Sequence, residues 1–108
     1  DFCYVDDTVD AMLRAGQSDA ADGKVFNVGG EPVVSLLETA RLLVDVNGGG
    51  EFTTHTFPAE RKRIDIGDYY ADDSLLRRTL GWQPQTPLQA GLRRTLSFYR
   101  EHLERYVQ

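Results

Sequence analysis

Residues 61–69 read R-K-R-I-D-I-G-D-Y: three cations, then two carboxylates and a tyrosine. A guanidinium is a planar fork that grips phosphate or carboxylate through two parallel hydrogen bonds, so Arg61 and Arg63 are suited to holding an anion. On charge alone, a mixed run of this kind is a solvated surface loop with Asp65 as a turn residue. It is nevertheless the one stretch whose charges ask for a ligand. Other clusters offer less. His55 and His102 stand far apart with no cysteine at ligand spacing, so no metal site is expected. Asp6 and Asp7 look like paired catalytic carboxylates, but capping of a following helix explains them. Gly48, Gly49 and Gly50 follow a helical pattern instead of joining a strand to a helix, and they read as a helix stop.

The elements that must position this run are marked by local signals. D-F-C-Y-V at 1–5 alternates as a short strand, with Phe2 and Tyr4 on one face. A helix with the stripe Val9, Met12 and Leu13 follows and stops at Gly16. K-V-F-N-V at 24–28 reads as a buried strand closed by Gly29 and Gly30. Ser35 and Glu38 form a capping box ahead of a helix whose Leu36, Ala40 and Leu43 share a face. E-F-T-T-H-T-F at 51–57 is a third strand candidate. Beyond Tyr70, Asp72 or Asp73 caps a helix carrying Leu76 and Leu80, with Arg77 and Arg78 toward its negative end. Gly81 stops that helix, Trp82 packs back on it, and Pro84 prevents its resumption. Thr86, Pro87 and Gln89 then open a last helix running to about Tyr106, with Thr86 as the capping hydroxyl.

The fold class expected is α/β: a small mixed fragment of short strands and three to four helices. The chain has 108 residues, a net charge of −5 and 27% charged residues. A chain of this length forms one partial domain, 1–108, with too few strands for a self-sufficient doubly wound sheet. Its apolar stripes need something to pack on, and it opens without methionine inside an alternating segment, so a fragment is expected. The acidic balance argues against nucleic acid or an anionic membrane as partner. A single cysteine, no signal peptide and no apolar run of spanning length point to the cytoplasm.

Three motifs in order, D-F-C-Y-V-D-D at 1–7, V-F-N-V-G-G at 25–30 and Y-A-D with L-G-W-Q-P at 70–84, resemble the C-terminal end of extended short-chain dehydrogenase/reductases, the family of nucleotide-sugar epimerases and 4,6-dehydratases. The resemblance implies the C-terminal part of a Rossmann-type enzyme that uses NAD or NADP. It also implies a nucleotide-diphosphate sugar as ligand; a homodimer that covers the exposed apolar stripes is the assembly expected. The family's glycine-rich turn and its Tyr-x-x-x-Lys are missing: the residues four beyond Tyr4, Tyr69, Tyr70 and Tyr99 are Thr8, Asp73, Ser74 and Leu103. This chain alone is therefore expected to hold no catalytic residue, bind no cofactor and be inactive.

What the resemblance leaves to this segment is substrate binding. In the family an arginine on a phosphate and an aspartate on the ribose form R-x-G-D before Y-A-D. Asp65 takes the aspartate position, Lys62 stands where the arginine is expected, and Ile64 replaces the glycine. Arg61 is the first choice for the phosphate contact and Arg63 the second. Tyr69 matches a position that limits the sugar's substituent, and its bulk disfavours an N-acetyl group. A non-catalytic association fragment, dimerising through its apolar faces and binding no ligand, is the alternative.

Overall fold

A computed structural model describes residues 1–107, which form five α-helices joined by extended segments. They are α1 (Val5–Gly16), α2 (Leu36–Asn47), α3 (Ala59–Lys62), α4 (Ser74–Leu80) and α5 (Leu88–His102), with short 3₁₀ turns at Asp19–Ala21 and Leu103–Arg105. No helix among the described residues is long and apolar enough to cross a membrane.

Local signals account for the helix ends. Ser35 Oγ accepts from the Glu38 backbone N–H at 3.1 Å, while Glu38 Oε2 accepts from Ser35 N at 2.7 Å and from its hydroxyl at 2.8 Å, the reciprocal bonding of a capping box. Gly48 and Gly81 end α2 and α4 in the left-handed conformation, with φ of 77° and 62°. At α4 the Ser74 N–H donates to Asp72 Oδ1 at 2.9 Å. Arg77 folds back along α4, its Nε donating to Asp73 Oδ1 at 2.7 Å and its Nη2 reaching Glu31 Oε1 at 2.6 Å. The charges that were expected to complement the helix dipole thus tie the helix to the loop after Gly30.

Two expected caps are absent. Tyr4, not an aspartate, precedes α1, and Asp6 and Asp7 lie in its first turn. Thr86 does not cap α5, which is preceded by Pro87 with no side-chain cap bond. Asp7 turns inward instead, only 5% exposed, and serves both places at once. Its Oδ2 accepts from Thr86 N at 3.0 Å, its Oδ1 from the Thr86 hydroxyl at 3.2 Å, and its backbone carbonyl from the Trp82 indole N–H at 3.1 Å. The carboxylate satisfies donors just ahead of α5 from a helix 79 residues away in sequence.

Around that clamp lies the core. Ala11 of α1, Leu76 of α4 and Trp82 are buried, with Cys3, Phe26, Val28 and Leu80 packed against them. At the other end α2 lies on α5, where Leu43 and Val44 meet Leu96 and Arg100 Nη2 donates to Asn47 Oδ1 at 2.6 Å. Tyr4 reaches Gly91 so closely that a Cβ there would stand 3.0 Å from its ring, and Arg94 lies 5.5 Å over the same ring.

The expected strands do not form. Residues 1–4, 24–30 and 51–57 are extended, but none of the described residues is in a strand. The alternation that marks them signals burial of one face or two; a ladder also requires a neighbouring extended backbone, and the nearest segments are joined by a side chain instead. The Asp1 carboxylate accepts from Gly30 N at 2.8 Å and from Ala71 N at 2.8 Å, drawing the three chain segments together without pairing them. The approach leaves no room at Gly30, where a Cβ would fall 1.7 Å from the Phe2 carbonyl oxygen.

The result is an open molecule. Its radius of gyration is 17.0 Å, whereas a compact chain of this length measures about 13 Å. It exposes 8605 Å² at 12.2 kDa, against about 6,000 Å² for a compact monomer of that mass. With so small a core, Trp82→Ala should remove ~3–5 kcal/mol and abolish the urea transition followed by far-UV circular dichroism. Asp7→Ala leaves the Thr86 donors unpaired, and a loss of ~1–3 kcal/mol is expected in the same measurement.

Candidate functional site

The 61–69 run begins in α3, a single helical turn that Pro58 opens with its fixed φ of −58°. The backbone N–H groups of Ile64 and Asp65 both donate to Arg61 O at 3.0 Å, so residues 61–65 form one tight turn presenting Arg61, Lys62, Arg63 and Asp65 outward. All four side chains are exposed and make no hydrogen bond or ion pair among the described residues. Arg61 and Lys62 sit at the negative end of their turn. This is a cationic cluster whose donors are free for an external anion.

Gly67, at φ 74°, then turns the chain toward Tyr69. Tyr69 is 59% exposed and forms one wall of an open groove of about 770 Å³. Phe2, Cys3 and Val28 line its floor, and Ser35, Leu36 and Leu37, at the start of α2, line the opposite wall. Asp1 fixes the Tyr69 wall: its carboxylate holds Ala71 N, and its amino group donates to Tyr69 O at 3.5 Å. The structure therefore joins Tyr69 to the groove and gathers Arg61, Arg63 and Asp65 on the adjoining turn, outside the groove lining. Sequence reasoning passed over Asp1, Phe2 and the start of α2 as parts of this site. Their signal was the capping box, which places Ser35 and Leu36 at a defined helix start, but nothing local says that this start faces Tyr69.

Two carboxyls at helix starts favour their charged forms. Hydrogen bonds from the Ser35 backbone and hydroxyl hold the Glu38 carboxyl below its usual range, and the bond from Ser74 does the same for Asp72. A carboxyl depressed in the folded state stabilises it above the unfolded value, and that contribution is lost as the pH falls through the folded value.

Similarity to characterised proteins runs along almost the whole chain. It is 34% identical over 100 residues to the UDP-glucose 4-epimerase of Mycolicibacterium smegmatis, a match covering 93% of this chain and 31% of that enzyme. It is 27% identical over 104 residues to the GDP-mannose 3,5-epimerase of Arabidopsis thaliana, covering 96% and 26% respectively. The dTDP-glucose 4,6-dehydratase of Streptomyces griseus is 29% identical over 102 residues, covering 94% and 30%. No protein-family profile and no solved structure matches the chain. The relatives are epimerases and dehydratases named for sugar nucleotides. These relatives are members of the extended short-chain dehydrogenase/reductase family, and the chain, similar to them along almost its whole length, spans about a third or less of the length of the relatives it matches.

Glu38→Gln should flatten the acid limb of stability as the pH falls below the ordinary glutamate range, with fewer protons taken up on unfolding. Helicity followed through an acid titration checks this, and an acid limb as steep as that of the unaltered chain would count against the capping box as its source.

Proposed function

We propose that this chain is the nucleotide-sugar-binding portion of an NAD- or NADP-dependent sugar-nucleotide epimerase or dehydratase. The observation that carries the reading is the unpaired cationic turn of residues 61–63 beside the Tyr69 groove, in a chain whose relatives are named for UDP-, GDP- and dTDP-sugars. In this reading Arg61, with Arg63 as second donor, grips the diphosphate. Asp65 accepts from the ribose hydroxyls, and Tyr69 bounds the sugar. Holding the sugar at a fixed orientation is positioning catalysis: it replaces a bimolecular encounter by a preset geometry.

A nicotinamide dinucleotide does not fit the residues present here. Its pyrophosphate needs backbone N–H groups at a helix N-terminus, whereas Gly48, Gly49 and Gly50 follow the C-terminus of α2, where carbonyls gather. No step of the redox chemistry is assigned to this chain. The cofactor and the residues acting on the sugar hydroxyl belong to the remainder of the enzyme, and a cytoplasmic location accords with the single free thiol.

Titration of the chain with UDP-, dTDP- and GDP-sugars by calorimetry tests the assignment. Arg61→Ala should weaken binding by about tenfold or more, the ~1.5–3 kcal/mol of a hydrogen bond to a charged group. Asp65→Ala should weaken it by a smaller factor, and a UDP-N-acetylhexosamine should bind more weakly than its hydroxyl counterpart. Equal affinity of the unaltered chain and both variants would remove the site from this turn.

A further inference from the structure

The wall of the groove that faces Tyr69 hangs on one remote contact. It is the first turn of α2, through Ser35, Leu36 and Leu37. The packing of α2 lies at its other end, where Leu43 and Val44 meet Leu96 and Asn47 takes Arg100. At the groove end Leu36 is 80% exposed, and the hydrogen bonds of Ser35 and Glu38 stay within their own turn. Among the described residues, the segment 31–35 reaches another part of the chain through a single hydrogen-bonded ion pair, from Arg77 Nη2 to Glu31 Oε1 at 2.6 Å.

The far side of that pair is well anchored. Arg77 belongs to α4, whose neighbouring Leu76 is buried in the core. The Asp73 carboxylate takes Arg77 Nε at 2.7 Å and Nη2 at 3.0 Å, and a two-point grip of this kind fixes the plane of a guanidinium. Glu31 thus meets a donor already aimed at it. Tyr69, across the groove, is set by separate bonds, those that Asp1 makes to Tyr69 O and Ala71 N. One wall therefore answers to Asp1 and the other to Arg77, and neither Glu31 nor Arg77 lines the groove whose width they help to set.

We infer that Glu31 and Arg77 are positioning residues for substrate selection: they hold the first turn of α2 at the distance from Tyr69 that decides which sugar substituent fits. The inference rests on the nucleotide-sugar reading of this groove. Without the pair, the α2 wall swings away about its packed end at Leu96, and the groove admits a bulkier substituent. The contacts to the diphosphate lie on the 61–65 turn, in another segment, so affinity for an unsubstituted sugar hardly changes. The Glu31 side chain is 66% exposed, and an ion pair so open to water shifts an equilibrium by a small factor only. The effect falls on the choice between sugars and not on the fold.

Calorimetric titration with UDP-glucose and UDP-N-acetylglucosamine, on the unaltered chain and on Glu31→Ala and Glu31→Gln, tests this. In Glu31→Ala the preference for the unsubstituted sugar should fall by about two- to fivefold. Glu31→Gln keeps an acceptor oxygen for Arg77 Nη2 and should retain most of that preference. Both variants leave the Arg77 bonds to Asp73 in place, so their far-UV spectra should match that of the unaltered chain. Cys3, the single thiol, lies on the groove floor and gives a second readout: its alkylation by a bulky maleimide should quicken by about twofold or more in Glu31→Ala. An unmoved preference, an unmoved thiol rate or equal weakening of both sugars overturns the inference while leaving the reading of the groove in place. Failure of the unaltered chain to bind either sugar nucleotide overturns that reading and this inference together.

Discussion

Everything else in the fold depends on how one carboxylate, that of Asp7, is satisfied. A buried anion is costly unless every lone pair finds a donor, and Asp7 finds two in Thr86 while its own carbonyl takes the Trp82 indole. Those three bonds lock the first turn of α1 to the turn that separates α4 from α5. The lock brings Ala11 against Leu76 and Trp82, the buried apolar core of the described residues. It also fixes where α5 starts, and thus where α2 can lie along it. Apolar burial here is too small to set those relations on its own, so directional bonds carry the specification.

The groove is built on a second, weaker set of directional bonds. Asp1 draws Gly30 and Ala71 together, and in doing so it sets the Tyr69 wall of the groove facing the start of α2. Arg77 restrains the loop after Gly30 from the opposite side through Glu31 and Asp73, which keep its guanidinium firmly protonated. Between these anchors the cationic turn at 61–65 hangs free. It is rigid within itself, through the paired bonds to Arg61 O, and tied to little else. That combination leaves its cations open to an external anion.

What was legible in the sequence follows the range of the forces involved. The Ser35–Glu38 box, the glycine stops at Gly48 and Gly81, the end of α1 at Gly16 and the burial of Trp82 all depend on neighbours within a few residues, and each is found as read. The strands were not legible, because apolar alternation reports which faces want burial and says nothing about who supplies the ladder. K-V-F-N-V reads as an interior strand and stands as a lone extended segment. Asp7 was misread for the same reason: its partner lies far down the chain, and a cap to its own helix was the only local explanation. The exposed cationic turn was read from charge alone, whereas the neighbours of Tyr69 in the groove come from residues 1–3, 28 and 34–37 and could be seen only in three dimensions.

Trp82 gives this arrangement an internal reporter. It is the chain's single tryptophan, 1% exposed, and hydrogen-bonded to the Asp7 carbonyl. Its fluorescence, excited selectively over that of the five tyrosines, therefore reports on the clamp and the core around it. A shift of emission toward that of indole in water marks the parting of α1 from α4. Loss of the small core can thus be followed through a single indole, at the one point where α1, α4 and the turn before α5 meet.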